Sequence, residues 1–167
     1  MLADAEAVRF GDFLLASGRR SNVYVDVKRA WTDPKRLGEL ARAFAKRVRP
    51  QESLAGVELG AVPLVVATAL ATGRPYVIIR KQAKEHGTRL PFEGEVGAGA
   101  RFLILEDVTT SGGSVVRSVE LLRSAGATVD RAVVVVDREE GAREKLRSVG
   151  VELEALATLD DVRRVRP

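Results

Sequence analysis

The sequence contains no cysteine, which excludes disulfide bonds, thiolate metal sites and cysteine nucleophiles. No apolar run reaches the roughly 18 residues that a membrane-spanning helix needs, so no membrane partner is expected. The first residues, MLADAEAVRFGDF, lack a basic segment followed by an apolar stretch, and no secretion signal is predicted. Together these absences favour a cytoplasmic enzyme or binding protein.

A strong excess of one charge is also missing. The 27 basic and 23 acidic residues give a net charge of +4, and both signs are interspersed along the chain. Without a long basic block or interleaved aromatic residues, we expect no nucleic-acid partner, whereas a small molecule that carries phosphate would suit a local positive excess. Asparagine, glutamine and methionine are scarce, which fits a thermophilic source, although GC-rich coding would also favour arginine over lysine.

The length of 167 residues and the 46% hydrophobic content predict one domain with a buried core. Apolar strands alternate with helices, which indicates an α/β fold with a parallel central sheet and helices on both faces. Ligands of such sheets bind beyond the carboxyl ends of the strands. The predicted helices are 3–10, 34–49, 63–71, 114–125 and 139–149, and the predicted strands are two within 14–26, then 54–58, 76–79, 102–105, 129–136 and 151–156.

Residues 81–100 show no helix or strand pattern, and they include four glycines. A long connection of this kind in a compact domain is usually a functional lid or a disordered segment. Its first part is basic, because Arg80, Lys81, Lys84 and Arg89 accompany one acidic residue and the only histidine, His86. Such a loop suits closure over a multiply charged anion, and an ordinary solvated basic loop is the alternative. Metal binding by His86 is not expected, since there is no second imidazole.

The most informative stretch covers residues 102–114, where an apolar strand leads to Glu106 and Asp107, then to a turn of hydroxyl and glycine residues, then to a helix. Backbone N–H groups in such a turn, together with the positive end of the helix dipole, can bind a phosphate. The turn has no Walker lysine, so a P-loop NTPase does not fit. The alternative is that a hydroxyl within residues 109–111 merely caps the helix.

Residues 106–113 resemble the signature of the type I phosphoribosyltransferases, which bind 5-phosphoribosyl 1-diphosphate (PRPP). The resemblance implies that the two acids hold the ribose hydroxyls and that the following loop binds the 5′-phosphate. The residues so assigned are Glu106, Asp107, Val108, Thr109, Thr110, Ser111, Gly112, Gly113 and Ser114.

Three more segments resemble the orotate phosphoribosyltransferases within that family. Residues 80–87 (RKQAKEHG) resemble their catalytic loop, residues 13–26 their N-terminal hood, and residues 137–141 (DREEG) the segment whose arginine lies near orotate. The resemblance implies a single phosphoribosyltransferase domain over 1–167, with residues 1–30 contributing the hood.

The resemblance also assigns roles to individual side chains. The catalytic candidates are Lys81, Lys84, His86 and Asp107, and Arg80, Lys81, Lys84 and His86 join the PRPP-binding set. A pyrophosphate loop is assigned to Glu58, Leu59, Gly60 and Ala61, for which an ordinary strand-to-helix turn is the alternative. Orotate binding is assigned to Thr110, Arg138, Tyr24 and Lys28. As alternatives, Tyr24 could belong to the core, and Arg138 could form an ion pair with Glu139 or Glu140.

Two positions depart from the family pattern, because Ala16 and Gly60 stand where many of these enzymes have lysine. Binding at the pyrophosphate loop would then depend on the backbone, and Lys28 could supply the charge that Ala16 lacks.

The implied reaction converts orotate and PRPP to orotidine 5′-monophosphate and pyrophosphate in de novo pyrimidine (UMP) biosynthesis. The implied cofactor is Mg²⁺ carried by PRPP rather than by a protein metal site. The implied assembly is a homodimer in which the catalytic loop, through Lys84, serves the neighbouring subunit. Two alternatives are a transferase for another base and a PRPP-sensing regulator. A regulator could lose the loop lysines or add a DNA-binding segment, whereas this chain keeps the lysines and at 167 residues offers little room for such a segment.

Overall fold

A computed structural model of the chain describes residues 8–14, 20–81 and 91–164. The strands are β1 (Val8–Leu14), β2 (Arg20–Val25), β3 (Glu52–Val57), β4 (Tyr76–Ile79), β5 (Phe92–Glu93), β6 (Arg101–Thr109), β7 (Thr128–Asp137) and β8 (Glu152–Thr158). A central sheet has the strand order β5-β4-β3-β6-β7-β8 and is parallel except for β5, while β1 and β2 form a separate antiparallel hairpin. This confirms the predicted α/β class.

The helices are α1 (Val27–Trp31), α2 (Pro34–Ala45), α3 (Val62–Thr72), α4 (Gly113–Ser124), α5 (Ala142–Ser148) and α6 (Leu159–Arg164). Two buried apolar clusters lie on opposite faces of the sheet. Helices α1, α2, α3 and α6 pack against one face, and α4 and α5 pack against the other. Because side chains alternate along a strand, β6 directs Leu103 and Leu105 to the first cluster and Phe102 and Ile104 to the second. Within the described ranges, no helix has the length and apolar character needed to cross a membrane.

Local signals account for the helix starts that the sequence predicts correctly. Asp33 is the N-cap of α2, where its carboxylate accepts the N–H of Arg36 at 2.9 Å, and Pro34 occupies the first helical position. Strand β4 has the predicted bounds, and α3 and α4 differ from prediction by one residue at each end.

The N-terminal predictions need correction. The helix predicted over residues 3–10 is wrong from Val8 onward, because Val8–Leu14 is a strand, and residues 3–7 lie outside the described residues. Pairing of Val8 with Val25 and of Phe10 with Val23 explains the difference, since β-branched and aromatic residues favour a paired strand. The hairpin exists, but β1 begins earlier than predicted and residues 20–22 of the predicted turn belong to β2.

Two boundaries near the sheet edge also differ. Strand β6 continues to Thr109, since its last residues pair with β7 as Val108 with Val136 and Thr109 with Asp137. Helix α5 begins at Ala142 rather than at Glu139, because Glu139 has φ 59° and its N–H donates to Asp137 at 2.9 Å. Helices α1 and α6 and the short β5 were not predicted, and β5 occupies two residues of the segment 81–100.

The amino ends of the strands carry a buried ion pair. The Nη1 atom of Arg131 on β7 lies 3.0 and 3.1 Å from the two carboxylate oxygens of Glu52 on β3. Glu52 is almost completely buried and also accepts the N–H of Arg49 at 2.8 Å. This pair joins strands on either side of β6 at the end opposite to the predicted site.

Candidate active site

The carboxyl ends of β3, β4, β6 and β7 lie along one edge of the sheet, because these four strands are parallel. Such an edge is where sheets of this class bind ligands. The structure therefore gathers here the segments that follow the four strands, namely residues 58–61, 80–81, 110–112 and 138–141.

The two acids predicted to hold ribose lie in β6, beyond its last pairing with β3 at Leu105. Glu106 is 6% exposed, and one of its oxygens accepts the N–H of Asp107 at 3.1 Å. Burial first, and the charge of Asp107 second, raise the pKa of Glu106 to about 8, while the positive charge of Lys81 acts in the opposite direction. Near neutral pH, Glu106 is thus mostly a carboxylic acid that can both donate and accept hydrogen bonds.

Asp107 is half-buried and accepts the N–H of Val108 at 2.7 Å. It also lies against Gly60, where a β-carbon would stand 2.4 Å from Asp107 Oδ2 and 2.7 Å from its Cγ. Real β-carbons do not approach other atoms this closely, so only glycine permits this contact. Gly60, which stands where many enzymes of the family have lysine, is therefore the residue at which the loop after β3 contacts Asp107 of β6.

The loop after β3 is held mainly through its backbone. The N–H of Glu58 donates to Ile79, and that of Ala61 donates to Val57. Within the described chain, the N–H groups of Leu59 and Gly60 have no protein acceptor. The peptide bond between Glu58 and Leu59 is cis, and the Leu59 side chain is 65% exposed. Two donors beside Asp107 are thus available to a ligand.

The start of the predicted catalytic loop contacts the loop after β3. The N–H of Lys81 donates to the Glu58 carboxylate at 2.8 Å, and the charge of Lys81 is felt by Glu106. Arg80 behaves differently, because its guanidinium pairs with Glu93 on β5 through Nε at 2.8 Å and also through Nη2. The predicted residues Lys84 and His86 lie outside the described residues.

The predicted phosphate loop follows β6 directly. The N-cap of α4 is Gly112, with φ 74°, and no side chain caps the helix. The alternative of a plain hydroxyl cap within residues 109–111 is therefore not observed. The hydroxyl of Thr109 is buried and has no hydrogen-bond partner among the described residues, and Thr110 and Ser111 are exposed. The first N–H groups of α4 are then free to face an anion, as helix N-termini generally are.

Arg138 follows β7, and its N–H donates to Thr109 at 2.9 Å. Its Nε lies 3.1 Å from a Glu140 carboxylate oxygen, and both side chains are mostly buried. The ion pair proposed as an alternative to orotate binding is thus present with Glu140. The fully buried Asp137 pairs in the same way with Arg143, at 2.9 Å.

The hood is linked to the core beside this edge. Val23 of β2 and Val27 of α1 are buried in the apolar cluster against which Val108 packs. Tyr24 is 40% exposed, with its ring centroid 5.5 Å from that of Phe13, so the alternative of a core tyrosine is not observed. Lys28 is exposed on α1, and residues 15–19, including Ala16, lie outside the described residues.

Two basic residues near the phosphate loop were missed in the sequence. A β-carbon at Gly113 would stand 3.7 Å from Lys145 Nζ and 4.0 Å from Arg117 Nη1. Neither residue belongs to a recognised motif. Each is brought to the loop by the packing of its helix, which the sequence does not show. Their helical spacings, four residues after Gly113 and three after Ala142, are the only sequence signal.

Comparisons with known proteins were consistent with one another. The model of the phosphoribosyl transferase domain matches residues 32–156. A relative from Natronomonas pharaonis called orotate phosphoribosyltransferase is 56% identical over 161 residues, covering 96% of this chain and 92% of the relative. The crystal structure of orotate phosphoribosyltransferase from Aeropyrum pernix is 38% identical, with a TM-score of 0.86 over 98% of this chain and 94% of that chain. The Mycobacterium tuberculosis H37Rv enzyme in complex with PRPP is 30% identical, with a TM-score of 0.72 over 83% of this chain and 82% of that chain.

Proposed function

This chain belongs to the orotate phosphoribosyltransferases, pentosyltransferases that serve pyrimidine biosynthesis, and we propose how its residues perform the transfer. The observation that carries the proposal is the contact of Gly60 with Asp107. This contact brings the loop over residues 58–61, with its available N–H donors, next to the acids Glu106 and Asp107. The phosphate loop over residues 109–114 follows these acids at the same edge of the sheet. PRPP has a pyrophosphate, a ribose and a 5′-phosphate that match these three features in order.

The ribose of PRPP is assigned to Glu106 and Asp107. A carboxylate accepts hydrogen bonds from two neighbouring hydroxyls, and a protonated Glu106 offers a donor and an acceptor without repelling Asp107. The 5′-phosphate is assigned to the turn over residues 109–114 at the start of α4. The ribose C1 would then lie towards residues 58–61.

The reaction breaks the bond between ribose C1 and the pyrophosphate oxygen and forms one between C1 and an orotate nitrogen, which gives up its proton to solvent. Negative charge increases on pyrophosphate as it leaves, so donors placed there stabilise the transition state. We assign this role to the N–H groups of Leu59 and Gly60, to Lys81, and to Lys84 and His86 in the loop that follows. The same loop would exclude water from the reacting carbon. Arg80 would then act indirectly, since its guanidinium is paired with Glu93.

The donor set suits Mg²⁺ bound mainly through PRPP. In the described residues, no three His, Cys, Asp or Glu side chains are grouped as metal ligands. Glu106 is buried and its pKa is raised to about 8, which leaves Asp107 as the carboxylate best placed to contact an ion held by phosphate oxygens and water. When bound, Mg²⁺ would neutralise charge on the departing pyrophosphate.

We assign orotate binding to the part of this sheet edge that lies between the hood and the segment after β7. The candidates are Thr110, Arg138, Tyr24 and Lys28. Tyr24 and Lys28 support this assignment, because both side chains are exposed and Lys28 carries a positive charge. Arg138 would reach orotate while Glu140 orients its guanidinium. Two expectations remain predictions from the sequence: the boundary of the hood at residue 30, and a cytoplasmic location of the protein.

The decisive assay follows the absorbance of orotate after addition of PRPP and Mg²⁺. Consumption of orotate, with uracil and purine bases left unchanged, is the expected result. Consumption of another base instead would redirect the assignment to that base. Binding of PRPP without turnover of any base would support a PRPP-sensing protein.

We further propose a homodimer in which Lys84 serves the neighbouring site. Lys84→Ala leaves the ribose acids intact, and Asp107→Asn leaves the loop intact, so a mixed dimer contains one site without defects. Random exchange gives mixed dimers in half of the molecules, and roughly a quarter of parent activity should return. Activity that stays at the average of the two variants, despite proven subunit exchange, would place Lys84 in its own subunit's site.

A further inference from the structure

Arg117 and Lys145 approach the same point at the first residue of α4. That point is the position of a β-carbon at Gly113, which lies 3.7 Å from Lys145 Nζ, 3.9 Å from Ser111 Oγ and 4.0 Å from Arg117 Nη1. Because Gly113 has no side chain, no atom of this residue occupies the point between the three groups. We call Arg117 and Lys145 the cation pair.

The packing of α5 on α4 explains why Lys145 reaches this point. At Gly112, a β-carbon would lie 3.2 Å from Ala142 Cα, so the start of α5 packs closely against the loop before α4. Lys145 is three residues after the buried Ala142 and shares its face of α5. Arg117 is four residues after Gly113 and shares its face of α4. The backbone of both helices therefore directs the cation pair to one side of the loop.

No acid neutralises the cation pair within the described residues. Neither Arg117 nor Lys145 takes part in an ion pair there, whereas Arg138 after β7 and Arg143 on α5 have acidic partners. The N-terminus of α4 adds partial positive charge at the same place, where cations are normally unfavourable. The buried hydroxyl of Thr109, at the base of the loop, also has no hydrogen-bond partner in the part of the chain that the structure describes. A positive and partly unsatisfied site of this kind favours an anion.

We propose that the cation pair binds the 5′-phosphate of PRPP and of the nucleotide product, as side-chain contacts beyond the phosphate-loop motif. This inference rests on the proposed function, which assigns the 5′-phosphate to the turn over residues 109–114. Arg117 and Lys145 would bind the phosphate oxygens from the α4–α5 side while backbone N–H groups bind from the loop. The pair then adds selectivity for a doubly charged phosphate over an uncharged 5′-hydroxyl.

The test compares orotidine 5′-monophosphate with orotidine, which differs only by the phosphate. Dissociation constants are measured by calorimetry or competition on the whole enzyme for the parent, Lys145→Ala and Arg117→Ala. Arg147→Ala is the matched control, because it removes the same charge from the exposed surface of α5. We expect about tenfold weaker binding of the monophosphate to each pair variant, typical of a lost charge-assisted contact, and an unchanged dissociation constant for orotidine.

The control Arg147→Ala should bind both ligands as the parent does, and Lys145→Arg should retain most of the affinity for the monophosphate. Monophosphate binding to Lys145→Ala within twofold of the parent would overturn the inference, as would an equal loss for both ligands. The proposed function is judged separately, on the parent. If the parent neither binds the monophosphate nor consumes orotate, that function fails. If the parent does both and Lys145→Ala matches it, only the role of the cation pair fails.

Discussion

Substitution of Gly60 by alanine tests the contact on which the site assignment depends. The new β-carbon would stand 2.4 Å from Asp107 Oδ2, 2.7 Å from Cγ and 3.0 Å from Oδ1. To restore ordinary van der Waals separation, the carboxylate and the loop must move apart by about 1 Å. A misplacement of about 1 Å in a positioning group typically lowers the rate about 100-fold.

We therefore expect kcat/KM for PRPP to fall about 100-fold in Gly60→Ala, equivalent to about 2.7 kcal/mol of transition-state stabilisation. Affinity for orotate should change little, because the assigned orotate residues lie on other segments. The assay is steady-state kinetics with each substrate varied in turn. Gly97→Ala is the control, since the nearest atom to its β-carbon would be Ala100 Cβ at 4.0 Å and its φ is not left-handed.

A double-mutant cycle shows whether the effect passes through Asp107. In an Asp107→Ala background the carboxylate is absent, so adding Gly60→Ala should cost much less than in the parent. Full additivity of the two effects, or a Gly60→Ala enzyme with kcat/KM within threefold of the parent, would refute the reasoning.

Three other outcomes are expected. Since the pKa of Glu106 is raised from 4.5 to about 8, the folded state retains a proton that the unfolded state releases, and unfolding free energy should fall as pH rises from 5 to 9, by on the order of 4 kcal/mol. Glu106→Gln should flatten that fall, and an unchanged slope would contradict the assignment. Asp107→Asn should weaken PRPP much more than orotate in ligand titrations, because an amide offers a single acceptor and a misplaced donor; equal losses would indicate a structural role. Arg131→Leu leaves Glu52 buried and unpaired and should lower the free energy of unfolding by about 3 kcal/mol. In denaturant titrations the control Arg101→Leu, which breaks the more exposed pair with Asp130, should cost less than about 1 kcal/mol, and similar losses for both would refute the distinction.

Local sequence determined the fold class and predicted most of the candidate site, because its signals act over a few residues. Alternating apolar strands and helices specified a parallel sheet with helices on both faces. The cap at Asp33 specified the start of α2. The order of strand, acids, turn and helix over residues 102–114 indicated a phosphate site, because each step follows from the chemistry of adjacent residues.

Tertiary structure decided which distant residues meet. The pairing of β6 with β7 extended the strand through the acids, and burial made Glu106 a carboxylic acid near neutral pH. The contact of Gly60 with Asp107 and the approach of Lys145 to Gly113 join segments that are far apart in the chain. Distances and burial of this kind depend on how strands and helices pack, which no local pattern specifies. The sequence thus named the chemical groups, and only packing set their distances and charge states.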